Sequence, residues 1–215
     1  MTKYNSVAKA DLSGKVYQKM VFNKNIVVLG PKTPQKQTKM FLEGKGALEG
    51  EKDAKRHSKT KIIDYVKTNT DLIYFVTYTF SSKKVGSRYD EKKIYEKMRD
   101  WLSDRVKRKN LKYILVPEQH QDGAWHFHGF TNLDLDWKYG HKRVKKVVKA
   151  GERERKINYI TSYVSKDSVK FNGRRYLHSN NLQVPQKIYG NEDFEIADGV
   201  ELEIKGLEGV RMKVE

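Results

Sequence analysis

The sequence predicts an α+β fold, a central antiparallel sheet with flanking helices. Three observations lead there. Aromatic and β-branched runs such as DLIYFVTYTF (Asp71–Phe80) alternate with charged stretches whose apolar residues recur at helical spacing. Two short apolar segments, LKYILV and WHFHGFTN, are separated only by turn-forming residues and so pair as an antiparallel hairpin. The order of elements reads β-α-β-β-α-β, a pattern that packs helices on an antiparallel sheet.

Taken in order, residues 1–50 form an N-terminal segment to which the sequence assigns no role. Within it KMVFNKNIVVLG (Lys19–Gly30) reads as a strand and PKTPQKQTKMFLEGKGALEGEK as a loop. A basic helix is expected from Asp53 to Thr68, with Ile62, Ile63 and Val66 on one side. The strand Asp71–Phe80 follows. Asp90–Asn110 is the clearest helix, with Ile94, Tyr95, Met98, Trp101, Leu102 and Val106 at helical spacing. Leu111–Val116 and Trp125–Asn132 are the hairpin strands. A very basic stretch then leads into a helix around Glu154–Lys166, RRYLH reads as a further strand, and VELEIKGLEGVRMKVE as a closing hairpin. Residues 51–185 thus hold the main domain, and 186–215 an acidic tail.

With 215 residues, 37% of them hydrophobic, the chain can bury a real core, and two full domains are not expected. No apolar run approaches the roughly 20 residues that span a bilayer. The N-terminus lacks the apolar stretch of a secretory signal, and there is no cysteine. A reducing cytoplasm, that of a bacterial host, is the expected location. The formal net charge of +17 calls for a polyanionic partner, with nucleic acid the leading candidate. A membrane surface fits less well, because the basic residues are not gathered on one amphipathic helix.

Two constellations carry chemistry. In His126-Phe127-His128 the imidazoles stand on the same side of a strand, and pairing across the turn brings Glu118 towards them. Two histidines and a carboxylate without thiolate suit a divalent ion with open positions; His120 is an alternative or additional ligand. Zinc fits the donors, and so do Mg²⁺ and Mn²⁺, the usual ions of phosphodiester chemistry. The ordinary alternative is a pair of half-buried polar side chains. The second constellation is INYITSYVSKD (Ile157–Asp167). At 100° per residue Tyr159, Tyr163 and Lys166 share one face, while Ile157, Ile160 and Val164 lie on nearly the opposite one. A lysine one turn from a tyrosine stabilises phenolate or phosphate charge. The motif alone is common by chance; its weight comes from its place downstream of the histidines.

Together FVTYTF (Phe75–Phe80), EQHQDGAWHFHGF (Glu118–Phe130) and YVSKD (Tyr163–Asp167) resemble the three motifs of the HUH endonucleases, in particular the rolling-circle replication initiators (Rep) of phages, plasmids and single-stranded DNA viruses. The resemblance covers about Thr60 to Pro185 and includes GRRYLHSNNLQVP (Gly173–Pro185). It implies an HUH/RRM-like split β-α-β core, with metal ligands His126, His128 and Glu118, and Mn²⁺ or Mg²⁺ as the ion. It implies Tyr163 as the nucleophile with Lys166 beside it. Members with two tyrosines four residues apart usually carry lysine before the second, where this chain has Ser162, so Tyr159 is the secondary candidate.

The implied activity is nicking and rejoining of single-stranded DNA or an origin hairpin through a 5′-phosphotyrosine. No GxxxxGK[ST] pattern occurs, so unwinding is expected from a separate helicase. For the DNA path the candidates are Lys142, Arg143, Lys145, Lys146 and Lys149, with Arg105, Lys107 and Arg108 at a helix end. Trp125 and Trp137 are candidates to stack bases, although core packing explains them equally well. Thr77 and Thr79 share a strand face towards the site. Rival readings are a related HUH transposase, whose tyrosine helix typically carries glutamine at the Lys166 position, and a non-catalytic basic nucleic-acid-binding module. The sequence leaves the oligomeric state open.

Overall fold

The computed structural model describes residues 3–27, 46–165, 170–190, 200–201 and 210–213. Along the chain run β1 (Lys3–Ala10), β2 (Val16–Val27), α1 (Gly46–Thr68), β3 (Tyr74–Thr79), α2 (Ser82–Val85), α3 (Glu91–Lys109) and β4 (Tyr113–Gln119). There follow β5 (Trp125–Thr131), β6 (Lys142–Lys146), α4 (Ala150–Ser165), β7 (Leu177–His178), β8 (Gln186–Gly190), β9 (Val200–Glu201) and β10 (Val210–Lys213). The α+β class is the one the sequence predicts, with two antiparallel sheets among the described residues. The chain divides into two units, Ala47–Gln183 and Met1–Gly46 with Val184–Glu215.

In the larger unit the sheet runs β6-β3-β5-β4-β7. Side chains alternate across a strand, so each face of this sheet has its own core. On one face Val76, Tyr78, Leu115 and Phe127 pack against Ile94, Met98, Trp101 and Leu102 of α3. On the other, Phe75, Ile114, Val116 and Phe130 meet Ile62 and Val66 of α1 and Ile157, Ile160 and Val164 of α4. Helix α3 is set by its ends as well as its stripe. The Asp90 carboxylate accepts a hydrogen bond from the Lys93 amide at 3.0 Å, and Lys107, Arg108 and Lys109 occupy its last turn.

Two connections fix the register. The β4–β5 turn closes with the Gly123 amide donating to the His120 carbonyl at 2.8 Å, and Gly123 has φ 83. In β5, a Cβ on Gly129 would lie 1.9 Å from the Ile114 carbonyl oxygen, so only glycine fits there. Arg153 of α4 ties the end of α1 to the entry of β3. Its guanidinium donates to the carbonyls of Val66 (2.6 Å), Asn69 (3.0 Å) and Leu72 (2.7 Å). These include carbonyls at the C-terminal end of a helix, where a cation is favoured.

Some elements depart from the expectation. Strand β6 (KRVKK) falls inside the stretch read only as a basic lead-in; four cations in five residues hide its alternation, as befits a charged edge strand paired only to β3. Helix α4 starts at Ala150 rather than near Glu154. In the smaller unit the sheet order β8-β1-β2-β10-β9 interleaves strands from the two ends of the chain. Strands β1 and β8 carry little local signal, because SVAKA and QKIYG are short and mix small and polar residues. Strand β9 pairs antiparallel with β10. The expected loop after Gly30 lies largely outside the described residues.

Candidate functional site

Strand β5 is the middle of its sheet and is buried along its whole length. Its odd-numbered residues supply Trp125 and Phe127 to the α3 core, so His126 and His128 face α1 and α4. The β4–β5 register places Glu118 directly across from His126. As a result the Glu118 Oε2 atom lies 2.9 Å from His126 Nε2 and 3.1 Å from His128 Nε2. The ligand atoms of the three residues all fall within 4.8 Å of one another, a group able to hold a metal ion.

The electrostatics suit that use. Burial and the His120 charge push His126 below its ordinary value, against the opposing pull of Glu118. His128 is pushed down to about 3, first by burial and then by the neighbouring His126, His120 and Lys156. Both rings are therefore neutral near pH 7, the form that donates to a metal. Two neutral imidazoles and one carboxylate, with no thiolate, fit a divalent ion in mixed N/O ligation. The Thr77 hydroxyl contacts His128 Nδ1 at 2.9 Å, leaving Nε2 to point at Glu118. His120 is not part of the converging group; its ring lies flat on His126, centroids 3.9 Å apart.

Helix α4 buries Ile157, Ile160 and Val164 and turns its tyrosines to the histidines. The Tyr163 ring stacks on His128 at 5.4 Å with an interplanar angle of 10°. Tyr159 meets His128 edge-on at 5.4 Å and Tyr163 at 5.0 Å. Burial, a hydrogen bond with Tyr159 and the Glu118 charge all raise the Tyr163 phenol above its ordinary value. Lys166 lies outside the described residues.

The basic candidates separate by strand face. Arg143 and Lys145 point from β6 to the histidine side and, with His141 and Lys156, line a groove of about 450 Å³ that reaches Thr77 and His128. Lys142 turns to the opposite face and pairs with Asp134. Lys146 follows the same alternation as Lys142 and is exposed, as is Lys149. Arg105, Lys107 and Arg108 belong to α3, across the sheet from the histidines; Arg105 and Arg108 both pair with Asp104. Trp125 and Trp137 are buried in the α3 core, where Trp137 Nε1 donates to the Thr79 carbonyl at 2.7 Å.

Residues 73–168 match the family model of a replication-associated protein of the ORF2 type. The matched span is just under half of the chain and contains Thr77, the three clustered ligands and both tyrosines. No curated protein and no solved structure matches the chain.

Sequence reasoning missed Lys156. Its ammonium lies 4.5 Å from the centre of the Phe75 ring and 5.4 Å from that of Tyr159. The signal was present, since positions 156, 159 and 163 follow the i, i+3, i+7 rule of a single helix face.

Proposed function

We propose that the chain is a metal-dependent, single-strand DNA endonuclease and strand-transferase that initiates rolling-circle replication. The observation that carries this reading is the convergence of Glu118, His126 and His128 against the ring of Tyr163. The likeness of residues 73–168 to a replication-associated family supports an initiator role and a nucleic-acid partner, and the net charge of +17 supports a polyanion.

Glu118, His126 and His128 would hold Mn²⁺ or Mg²⁺, which when bound supplies Lewis-acid charge neutralisation at the scissile phosphate. Thr77 fixes the His128 ring so that Nε2 remains the donor. The Tyr163 phenol oxygen attacks phosphorus in line as its proton departs. An O–P bond forms, the P–O3′ bond breaks, and the 3′ oxygen takes up a proton. The products are a 5′-phosphotyrosine and a free 3′-hydroxyl that primes synthesis. Attack by a 3′-hydroxyl on the phosphotyrosine reverses the step and rejoins the strand. Lys166 is assigned to the non-bridging oxygens, and unwinding falls to a separate helicase.

The test uses Mn²⁺ and labelled single-stranded oligonucleotides from the protein's own replicon, with Tyr163→Phe alongside. A denaturing gel should show a covalent protein–DNA adduct that needs metal and vanishes in the variant. An adduct formed equally by both proteins would move the nucleophile to another tyrosine. DNA binding without any adduct would favour a non-catalytic binding module.

A further inference from the structure

The groove beside His128 has two walls of different origin. One is the β6 edge, where pairing with β3 sets Arg143 beside Thr77 and Lys145 beside Phe75. The other is α4, which contributes Lys156 and Tyr159. Lys145 is committed to Glu152. Arg143 and Lys156, by contrast, have no carboxylate within ion-pair distance among the described residues. Lys156 is also partly desolvated, with its ammonium against the Phe75 and Tyr159 rings. Holding two unneutralised cations on one concave surface is unfavourable until an anion enters. Tyr159 adds an aromatic surface that is 40% exposed, unusual for so large a side chain. About 450 Å³ of space falls within the range of small-ligand sites.

A ligand that carries one negative charge and one flat ring per unit matches these walls, and single-stranded nucleic acid is such a ligand. We infer that the groove holds the nucleotide flanking the cleaved phosphate, with Arg143 and Lys156 on a backbone phosphate and the Tyr159 ring against a base. This rests on the strand-cleavage reading for the position of the cut, whereas occupancy of the groove is measured without cleavage. In this role Tyr159 is a stacking platform, and its hydroxyl is dispensable for binding.

The experiment is fluorescence anisotropy of a labelled oligothymidylate with the full chain, in metal-free buffer over a range of salt. The Arg143→Gln/Lys156→Gln double variant should lose about 0.7 from the slope of log K against log salt, the amount due to one phosphate. Arg143→Lys/Lys156→Arg keeps both charges and should keep the slope. Lys92→Gln/Lys109→Gln, on exposed positions of α3 across the sheet, should leave it unchanged. Tyr159→Leu should weaken binding about tenfold at constant slope, and Tyr159→Phe should not. A wild-type slope in the glutamine pair, with the covalent adduct still formed, overturns the groove and leaves cleavage standing. The expected slopes in a protein that forms no adduct support the groove and refute cleavage.

Discussion

Replacing Thr77 by valine removes one hydroxyl and little else. Valine keeps the β-branched shape that suits strand β3, so the backbone and the packing beside Phe75 should hold. What disappears is the 2.9 Å contact to His128 Nδ1, on a ring that is only 8% exposed. A buried polar group left without its partner costs about 1–3 kcal/mol. Loss of a hydrogen bond that orients a metal-ligating histidine typically weakens the metal about 10–100-fold, or about 1.4–2.7 kcal/mol. The two ranges overlap. Because Thr77 also lines the groove, solvent can reach Nδ1 and replace part of the lost bond, so a value nearer tenfold is expected. Calorimetric titration of Mn²⁺ into the full chain measures it. Thr79→Val is the control, since that hydroxyl bonds the His141 carbonyl at 3.1 Å instead. Equal Mn²⁺ affinity in Thr77→Val and wild type would refute the argument that this hydroxyl sets the ring.

Other outcomes follow from the same geometry. Gly129→Ala forces a Cβ to within 1.9 Å of a backbone oxygen, and should cost about 3 kcal/mol or more; circular dichroism melts should show a large fall in Tm or no cooperative transition. Arg153→Met leaves three carbonyls without their donor and should cost about 2 kcal/mol, read from urea unfolding with an unchanged m-value. Removal of divalent ions with EDTA should abolish the adduct and leave the salt dependence of DNA binding intact; cleavage that persists would refute a metal role for Glu118, His126 and His128.

The sheet face of the site was legible because two short-range rules agreed. HxH fixes both imidazoles on one side of a strand, and a tight turn after Glu118 brings its carboxylate across from His126. The tyrosines were legible from helical period, since Ile157, Ile160 and Val164 claim the buried face. What lay beyond reach depended on long-range pairing. Nothing local says that KRVKK pairs with β3, so Arg143 and Lys145 could be named as basic but not separated from Lys142, which faces the other way. Nor does any local signal pair QKIYG near the C-terminus with SVAKA near the N-terminus. Arg153 sat in a run of charges that reads as a solvated surface, yet its guanidinium is spent on carbonyls from another helix.

The two faces of the larger sheet divide the work, and that division explains how the site can exist at all. Setting two histidines and a glutamate on the central hairpin, under two tyrosines, removes apolar packing from one face and desolvates groups that prefer water. The other face carries the compensation. There Tyr78, Trp101, Trp137, Phe127 and Phe171 form a continuous aromatic cluster, with Trp137 within 4.6 Å of Tyr78 and 5.1 Å of Trp101 between ring centres. Because β5 is one strand, every odd residue anchored in that cluster fixes the direction of the even residues beside it. Trp125 and Phe127 bracket His126, and Phe127 and Gly129 bracket His128. The backbone that aims the imidazoles is therefore held mainly by side chains that never touch the site, which lets the polar face keep its open groove without losing its geometry.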